Sequence, residues 1–433
     1  MTRLLIIADD FTGSLDTGVQ LAKHGIDTLV AVMRPGETVD FSVESQVLVV
    51  NTESRHIPAA EAYARVAGVV KEAVAAGFTH FYKKTDSTLR GNIGAELAAL
   101  LETITQLKNN GSYNNSASSG SDLIFIPAFP KLERYTIGGL QYVGDTLLAE
   151  TAFAADPFNP IRQSDVRGLI KEQTKLVVEN IMLGEFESLR TSAAGAVRVV
   201  DARTDADLQT IGSILKQSGK LKLLAGCAGF AELLPELLDL PAAPVELRRK
   251  PGSTLLVSGS VNPRSVKQVS YALENCTYTE SRLSVEQKID SNFKDDAWEA
   301  DLAESLQKTG RGVIWSQRSE KGDDEAQTRA QELGIETDHL GGIIAANIGA
   351  IVKRMLARTN IGTLIVFGGD TLLGIADALD CHLVRPITEI VPGVALARFV
   401  HDSYNFNVVT KAGGFGSDDV VEEIEQFVTK LSE

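Results

Sequence analysis

The chain has 433 residues, and 44% of them are hydrophobic. A chain of this length is too long for one ordinary hydrophobic core, so we predict two or three domains. Its formal net charge of −15 argues against nucleic acid or an anionic membrane as the main partner. The three cysteines, Cys227, Cys276 and Cys381, match neither a disulfide framework nor a metal-binding spacing. We find no signal-peptide pattern and no apolar run near the roughly 20 residues of a membrane helix, so we expect a cytosolic, cytoplasmic protein.

Short β-branched or leucine-rich runs alternate with amphipathic helical stretches, which is typical of βαβ units around parallel sheets. The strands predicted in the first half are Leu4 to Ala8, Thr28 to Val32, Val47 to Asn51, His80 to Lys84, Leu123 to Ile126, Val197 to Val200 and Leu221 to Ala225. Ala60 to Ala75 and Ile93 to Leu107 predict helices. Lys108 to Asp122 has almost nothing apolar to bury and predicts a mobile surface loop.

Two aspartates follow the first predicted strand, in the stretch LLIIADDFTGSLDTG. At the carboxyl end of a parallel strand, ligands usually bind beside a helix amino terminus that attracts anions. Aspartate is also a common helix cap and turn former. This stretch alone therefore leaves both a ligand-binding and a capping role open for Asp9 and Asp10.

A second polar cluster follows the predicted strand that begins at His80, in FYKKTDSTLRGNIG. It holds Lys84, Thr85, Asp86 and Ser87. Such a cluster can bind a small acid, because lysine and arginine bind the carboxylate while aspartate and serine bind hydroxyl groups. The strand end NTESR should lie nearby, which makes Arg55 a candidate clamp for a carboxylate. In the alternative, Asp86 or Ser87 caps the following helix and the lysines are solvated.

A proline-rich stretch followed by ELRRKPGS predicts a domain boundary, which divides residues 1–240 from residues 250–433. In the second half, Thr254 to Ser258, Val313 to Ser316, Thr363 to Phe367 and Asn407 to Thr410 predict the strands of another parallel sheet. We therefore expect an α/β protein of two domains, each built around a mostly parallel sheet flanked by helices.

Three strands of the second half run into a glycine- or serine-rich turn and then a helix: LLVSGSVNPRSVKQV, LIVFGGDTLLGIADAL and VVTKAGGFGSDDVVEEI. Glycines at such a junction let backbone N–H groups approach a phosphate closely. One junction has a purely steric explanation, but three at the same edge of one sheet favour a phosphate-binding site. Neither GxxxxGK[ST] nor GxGxxG occurs, so a P-loop and an ordinary dinucleotide fingerprint are not supported.

Seven motifs then form a recognisable series, in the order ADDFTG (8–13), KKTDSTLRGN (83–92), PAFPKLERYTIGG (127–139), LAETAFAADPFNP (148–160), SGS (258–260), FGGDT (367–371) and KAGGFG (411–416). Over nearly the whole chain they resemble the four-carbon acid sugar kinase family. The resemblance implies an ATP-dependent kinase for tetronates, with an amino-terminal substrate domain, a carboxyl-terminal nucleotide domain, and ATP and Mg²⁺ as cofactors. Members of that family include kinases for D-threonate, D-erythronate and 3-oxo-tetronates.

The same resemblance implies roles for individual residues. The substrate side would involve Asp10, Arg55, Lys84, Thr85, Asp86 and Ser87. The ATP side would involve Ser258, Gly368, Gly369, Asp370, Thr371 and Gly413. The sequence has GGDT where GGET is commoner and KAGGFG where KSGNFG is commoner. The first change keeps a carboxylate, and the second leaves the backbone as the expected contact of that loop. The magnesium ligands are not identified.

Phosphoryl transfer needs a carboxylate that orients or deprotonates the attacking hydroxyl. Either Asp10 or Asp86 would be that base, with Arg55 and Lys84 on the substrate carboxylate and the active site in an interdomain cleft. The terminal C4 hydroxyl would then receive the phosphate, and D-threonate is the favoured substrate. A non-catalytic sugar-acid sensor and a nicotinamide-dependent dehydrogenase are the rival functions, and the sequence leaves open a homo-oligomer.

Overall fold

A computed structural model describes residues 3–34, 38–113, 122–156, 159–191, 195–316 and 324–431. The chain divides into two compact units, Met1–Pro244 and Val245–Glu433, called here the amino-terminal and the carboxyl-terminal unit.

The amino-terminal unit alternates strands with helices. Its strands are β1 (Leu4–Ala8), β2 (Thr28–Val32), β3 (Val47–Asn51), β4 (His80–Lys84), β5 (Leu123–Ile126), β6 (Arg134–Ile137), β7 (Leu140–Val143), β8 (Thr146–Leu147), β9 (Val177–Ile181), β10 (Ala196–Val200) and β11 (Leu223–Gly226). Its α-helices are α1 (Phe11–Ala22), α2 (Ala59–Ala75), α3 (Ile93–Asn109), α4 (Val166–Lys171), α5 (Asp205–Gln217), α6 (Ala228–Ala231) and α7 (Leu234–Leu237). Short 3₁₀ helices span Pro130–Leu132, Leu148–Glu150, Ala152–Ala155 and Phe186–Arg190.

Eight strands of this unit form a parallel sheet in the order β2-β3-β1-β4-β11-β5-β10-β9. The predicted bounds of β1 to β5 are confirmed, because fully buried strands read as unbroken apolar runs. Strand β1 lies between β3 and β4, so its carboxyl end is flanked by two other strand ends. This position is where the first polar cluster begins.

A small antiparallel sheet, β6-β7-β8, is an addition that the sequence did not predict. Its Gln141 is fully buried, accepts a hydrogen bond from Thr136 Oγ1 at 2.8 Å and donates to Ser87 O at 3.2 Å. The small sheet therefore supports the loop that follows β4.

The predicted loop over 108–122 is partly wrong. Helix α3 continues to Asn109, and Tyr113 is buried, with its hydroxyl donating to Thr79 O at 2.8 Å. The aromatic ring supplies the apolar surface that the polar composition of the segment conceals. The rest of the prediction, 114–121, lies outside the described residues.

The carboxyl-terminal unit repeats the alternation of strands and helices. Its strands are β12 (Ser253–Ser258), β13 (Thr279–Arg282), β14 (Arg311–Trp315), β15 (Ile361–Phe367), β16 (Leu383–Val391), β17 (Val394–Phe399) and β18 (Asn407–Lys411). Its helices are α8 (Pro263–Asn275), α9 (Val285–Ile289), α10 (Asp296–Thr309), α11 (Asp324–Glu332), α12 (Thr337–Arg358), α13 (Gly369–Ala378) and α14 (Val420–Thr429).

The sheet of this unit has the order β13-β14-β12-β15-β18-β17-β16. Strands β13, β14, β12, β15 and β18 are parallel, as predicted for four of them, but β17 and β16 run antiparallel. The hairpin turns at Pro392 and Gly393, where Gly393 has a φ of +76° that favours glycine. The sheet is therefore mostly parallel, with a hairpin at one side.

Helices α12 and α13 make a close backbone contact. A Cβ on Gly349 would lie 2.1 Å from Gly374 O, and one on Gly374 would lie 2.3 Å from Ala345 O. By length and composition alone, His339–Arg358 is apolar enough to span a membrane, and 44% of its most apolar window is buried. This segment corrects the expectation that no apolar run approaches that length.

Candidate active site

The polar segments of the amino-terminal unit begin at one edge of the sheet. Ala8 at the end of β1 is in register with Asn51 on β3 and with Lys84 on β4. The segments that follow these three residues therefore start side by side, which is how the sequence brings the two predicted clusters together.

Asp10 occupies the amino end of α1. Its Oδ1 accepts a hydrogen bond from Gly13 N at 2.8 Å, and its Oδ2 accepts one from Arg55 Nη1 at 2.7 Å. The capping role left open by the sequence is confirmed. The side chain still keeps 23% of its surface exposed, so it remains within reach of a ligand.

Arg55 is buried among carboxylates. Its Nε donates to Asp9 Oδ2 and its Nη1 to Asp10 Oδ2, both at 2.7 Å, and its Nη2 lies 4.0 Å from Asp86 Oδ1. Burial opposes the charge of Arg55, but Asp10 and Asp9 outweigh it and raise the pKa of the guanidinium. Arg55, which the sequence suggested as a binding residue for the substrate carboxylate, is thus already paired with carboxylates of its own chain.

Asp86 is held by a second arginine. Arg90 donates to its Oδ2 through Nε at 2.7 Å and to its Oδ1 through Nη2 at 3.2 Å, and the Thr88 hydroxyl also donates to Oδ2. Burial alone would raise the pKa of Asp86, but Arg55 and Arg90 outweigh it and hold that pKa well below its usual range. A carboxylate with so low a pKa accepts a proton poorly.

The two lysines that end β4 have different surroundings, because successive side chains of a strand point to opposite faces. Lys83 Nζ lies 3.0 Å from Glu96 Oε2 on α3, and both side chains are fully buried. Lys84 is 4% exposed, and a Cβ on Gly13 of α1 would lie 2.8 Å from its Nζ. Among the described residues, the Lys84 ammonium donates no hydrogen bond and forms no ion pair, although its charge helps to lower the pKa of Asp9. It is a buried positive charge beside a helix amino end, which suits an anion.

The other two predicted residues of this cluster lie in the same loop. Thr85 is fully buried, and its hydroxyl has no partner among the described residues. Ser87 is half-buried, and its carbonyl accepts the hydrogen bond from Gln141.

The stretch FYKKTDSTLRGNIG contains Arg90, but sequence reasoning missed the residues that meet it. Arg90 Nη1 donates to Asp156 Oδ2 at 3.1 Å, and the guanidinium carbons of Arg90 and Arg134 lie 5.4 and 5.9 Å from the centre of the Phe153 ring. The signal was present, because the motifs at 127–139 and 148–160 contain Arg134, Phe153 and Asp156. No spacing within the sequence indicated that they meet the loop after β4.

The carboxyl-terminal unit also collects its turns at one sheet edge. Ser258 on β12 is in register with Phe367 on β15, which is in register with Lys411 on β18. Gly368 has a φ of +112° and precedes α13, whose first-turn amides have no intrahelical partners. A Cβ on Gly259 would lie 2.3 Å from Thr371 Oγ1, so the buried Thr371 packs the second turn against the first.

Asp370 and Gly369 begin the same helix. Asp370 is exposed and lies in the first turn of α13. Its carboxylate is therefore available to a ligand or a cation at this edge.

The loop that follows β18 turns its carbonyl groups inward. Lys411 Nζ donates to Gly413 O at 2.8 Å, and Gln268 Nε2 donates to Phe415 O at 3.0 Å. Burial lowers the pKa of Lys411 to about 7. Within the described ranges, the amides of Gly413, Gly414 and Gly416 have no hydrogen-bond acceptor. A Cβ on Gly413 would meet nothing nearer than 3.7 Å, so the chain itself leaves open space there.

Three buried polar atoms at this edge also have no partner among the described residues. They are the hydroxyls of Ser258 and Ser316 and the indole Nε1 of Trp315. Only Ser258 was singled out from the sequence. Ser316 directly follows β14, the strand beside β12, so its position in the parallel sheet was the available signal.

The described residues contain no group of three or more histidine, cysteine, aspartate or glutamate side chains that could hold a metal ion. Mg²⁺ in phosphate chemistry is usually bound by one or two carboxylates together with the phosphates and water. The exposed Asp370 fits that requirement.

Comparison with known families matches the two halves separately. A family model described as a sugar-binding N-terminal domain matches residues 4–234, and one described as a nucleotide-binding C-terminal domain matches residues 255–421. The fold and the two family models therefore define a two-part α/β protein with a sugar-binding and a nucleotide-binding region.

Two curated relatives align along almost their whole length. A D-threonate kinase of Salmonella typhimurium is 30% identical over 99% of both chains, and a D-erythronate kinase of Heliobacterium modesticaldum is 28% identical over 100% of this chain and 98% of its own. A solved Haemophilus influenzae protein of the family DUF1537 has the same fold, with a TM-score of 0.71, 22% identity, and coverage of 98% and 100%. The chain belongs to the four-carbon acid sugar kinase family.

Proposed function

We propose that the protein is an ATP-dependent kinase that phosphorylates the terminal C4 hydroxyl of a four-carbon sugar acid. D-Threonate, giving 4-phospho-D-threonate, is the favoured substrate, and D-erythronate and 3-oxo-tetronates are the alternatives within the family. The observation that carries the proposal is that two groups lie together at the amino end of α1. One is the partly exposed, oriented carboxylate of Asp10, and the other is the Lys84 ammonium, which forms no ion pair among the described residues.

Asp10 is the better of the two candidate bases. Asp86 is bound by Arg90 through two hydrogen bonds and lies near Arg55, which leaves it little tendency to accept a proton. Asp10 keeps an exposed surface while Gly13 N and Arg55 fix its orientation. We assign the base to Asp10 and the binding of substrate hydroxyls to Asp86 with Thr85 and Ser87.

The chemical step is an in-line transfer. The C4 oxygen forms a bond to the γ-phosphorus, the bond from that phosphorus to the β,γ-bridging oxygen breaks, and ADP leaves. The hydroxyl proton goes to Asp10. Lys84 and the amino end of α1 stabilise negative charge beside the reacting hydroxyl.

The carboxyl-terminal unit supplies the features that ATP requires. Free amides at Gly413 and Gly414 and at the start of α13 suit phosphate oxygens, and the Ser258 hydroxyl has an unused hydrogen-bonding capacity. Asp370 would hold Mg²⁺ together with the phosphates, and the ion would neutralise phosphate charge. We further propose that residues 1–240 and 250–433 act as substrate and nucleotide domains in the cytoplasm.

A coupled ADP-release assay over the four tetronate stereoisomers and the 3-oxo acids tests the proposal, with phosphorus NMR of each product. We expect turnover of one or a few of these acids with ATP, and phosphate on C4. Phosphate at C2 or C3 would contradict the assigned orientation. Turnover of none of the acids would overturn the kinase function.

A further inference from the structure

The motif segments 127–139 and 148–160 have no role in the chemistry described so far, yet the structure joins them to the loop after β4. Arg134 at the start of β6 and Arg90 both lie against the Phe153 ring. Arg90 also bridges Asp86 and Asp156. Residues from three motifs therefore form one cluster, here called the Phe153 cluster: Arg90, Arg134, Phe153 and Asp156.

Of the two arginines in the Phe153 cluster, Arg90 forms ion pairs, whereas Arg134 forms none among the described residues. Its Nη1 donates to Leu132 O at 2.8 Å, while its buried Nε has no acceptor in that part of the chain. Burial lowers the pKa of Arg134, and the charges of Asp86 and Glu133 oppose this shift only in part. A half-buried guanidinium with unused donors is costly unless a ligand supplies the missing acceptors.

The order of the charged residues indicates how the substrate would be oriented in the site. Arg55 joins Asp10 to Asp86, and Asp86 in turn binds Arg90, which shares the Phe153 ring with Arg134. Arg134 therefore belongs to the Asp86 side of this series, since Asp86 is the carboxylate whose charge acts on it most. Lys84 belongs to the Asp10 end, because its ammonium lies against Gly13. A four-carbon acid likewise has its carboxylate and its terminal hydroxyl at opposite ends.

We propose that Arg134 binds the carboxylate of the substrate, which leaves Lys84 to stabilise the phosphoryl group in transfer. This inference rests on the proposed function and assigns the specificity for acids to a residue outside the two polar clusters found in the sequence. The planar guanidinium binds a carboxylate through two parallel hydrogen bonds, and the Phe153 ring fixes its plane.

The test compares the best tetronate substrate with its primary amide, which keeps every hydroxyl but has no charge. Steady-state kinetics and calorimetric titration without ATP are measured for the wild type, Arg134→Gln, Arg134→Lys and Lys84→Met. Arg203→Gln, at an exposed arginine of the same unit, is the control.

We expect Arg134→Gln to raise the KM and Kd for the acid by about 10- to 100-fold, because a hydrogen bond to a charged group is worth about 1.5–3 kcal/mol. Its kcat should stay within about threefold, its constants for the amide should not change, and Arg134→Lys should recover part of the loss. Lys84→Met should lower kcat instead, and Arg203→Gln should match the wild type.

Equal losses on the acid and the amide, or no loss on either, would overturn the assignment of Arg134 and leave the kinase function standing. If the wild type binds the acid without phosphorylating it, the kinase function fails. The titrations then decide the carboxylate site, because selective loss of acid binding in Arg134→Gln supports it. Absence of acid binding by the wild type would overturn both.

Discussion

The loops at the carboxyl ends of the two parallel sheets differ in the polar groups that they offer to a ligand. In the amino-terminal unit the loops after β1, β3 and β4 carry charged side chains, and Arg55, Asp86 and Arg90 are paired with each other. In the carboxyl-terminal unit the turns carry glycines, free amides and unpartnered hydroxyls. Side chains that fix one another distinguish stereoisomers of a small acid, whereas backbone amides bind any phosphate in the same way.

The largest effect should come from Asp10→Asn. Asparagine still caps α1, so the fold persists while the base is lost. We expect kcat to fall by about 10²- to 10⁴-fold with an unchanged KM for ATP. Steady-state kinetics check this, with Asp40→Asn on the exposed surface as the control. An activity within threefold of the wild type would remove Asp10 from the chemistry.

The paired charges should make the amino-terminal edge sensitive to acid. Asp86→Asn weakens a partly buried, charge-assisted pair with Arg90, which costs about 1.5–3 kcal/mol of unfolding free energy at pH 7. Because the folded-state pKa of Asp86 is lowered from 3.8, its stabilisation is present above that value and is lost as the pH falls through the folded-state pKa. Urea denaturation at pH 7 and pH 3 should show the wild type losing about 1 kcal/mol of its advantage over the variant. An equal difference in unfolding free energy between the wild type and Asp86→Asn at both pH values would contradict the lowered pKa of Asp86.

Substitutions at the glycine-rich edge of the carboxyl-terminal unit should weaken nucleotide binding without lowering the stability of the fold. Gly413→Ala places a methyl group where the chain itself leaves space, so we expect about a tenfold rise in the KM for ATP with no change in melting temperature. Gly341→Ala is the matched control, because its Cβ would also meet no atom of the chain within 4 Å. A normal KM for ATP in Gly413→Ala would exclude this loop from the nucleotide site.

The smallest effect should come from Ser258→Ala. Its buried hydroxyl has no partner among the described residues, so we expect unchanged or slightly raised stability and a two- to tenfold rise in the KM for ATP. Thermal unfolding and kinetics measure the two effects, with the exposed Ser403→Ala as the control. A loss of stability with normal nucleotide kinetics would make Ser258 structural.

The strands that carry the site could be predicted from the sequence because burial on both faces leaves unbroken apolar runs, as in β1 to β5. The edge strand β9 and the strand β16, which contains Pro386, lack such runs and were missed. The carboxyl ends of β1, β3, β4, β12 and β15 were predicted correctly, whereas those of β11, β14 and β18 differ from the prediction by one residue.

The partners of the site residues could not be predicted. Arg55 lies in the loop after β3 and Arg134 begins β6, but Arg55 forms ion pairs with carboxylates of the chain and Arg134 forms none among the described residues. That difference depends on which distant segments fold together, and sequence spacing does not contain it. The Phe153 cluster joins segments that are distant in the sequence, and its pair of Arg90 with Asp156 spans 66 positions.

The alternation of Lys83 and Lys84 on β4 limits how this region can change during evolution. One lysine faces Glu96 on α3, and its neighbour faces Gly13 on α1. Inserting or deleting a single residue in β4 would exchange the two faces, leaving Glu96 without its cation and the site without its free charge. Related chains should therefore vary in the length of the loops around this strand while the adjacent lysines keep their distance from the loop that carries Asp86.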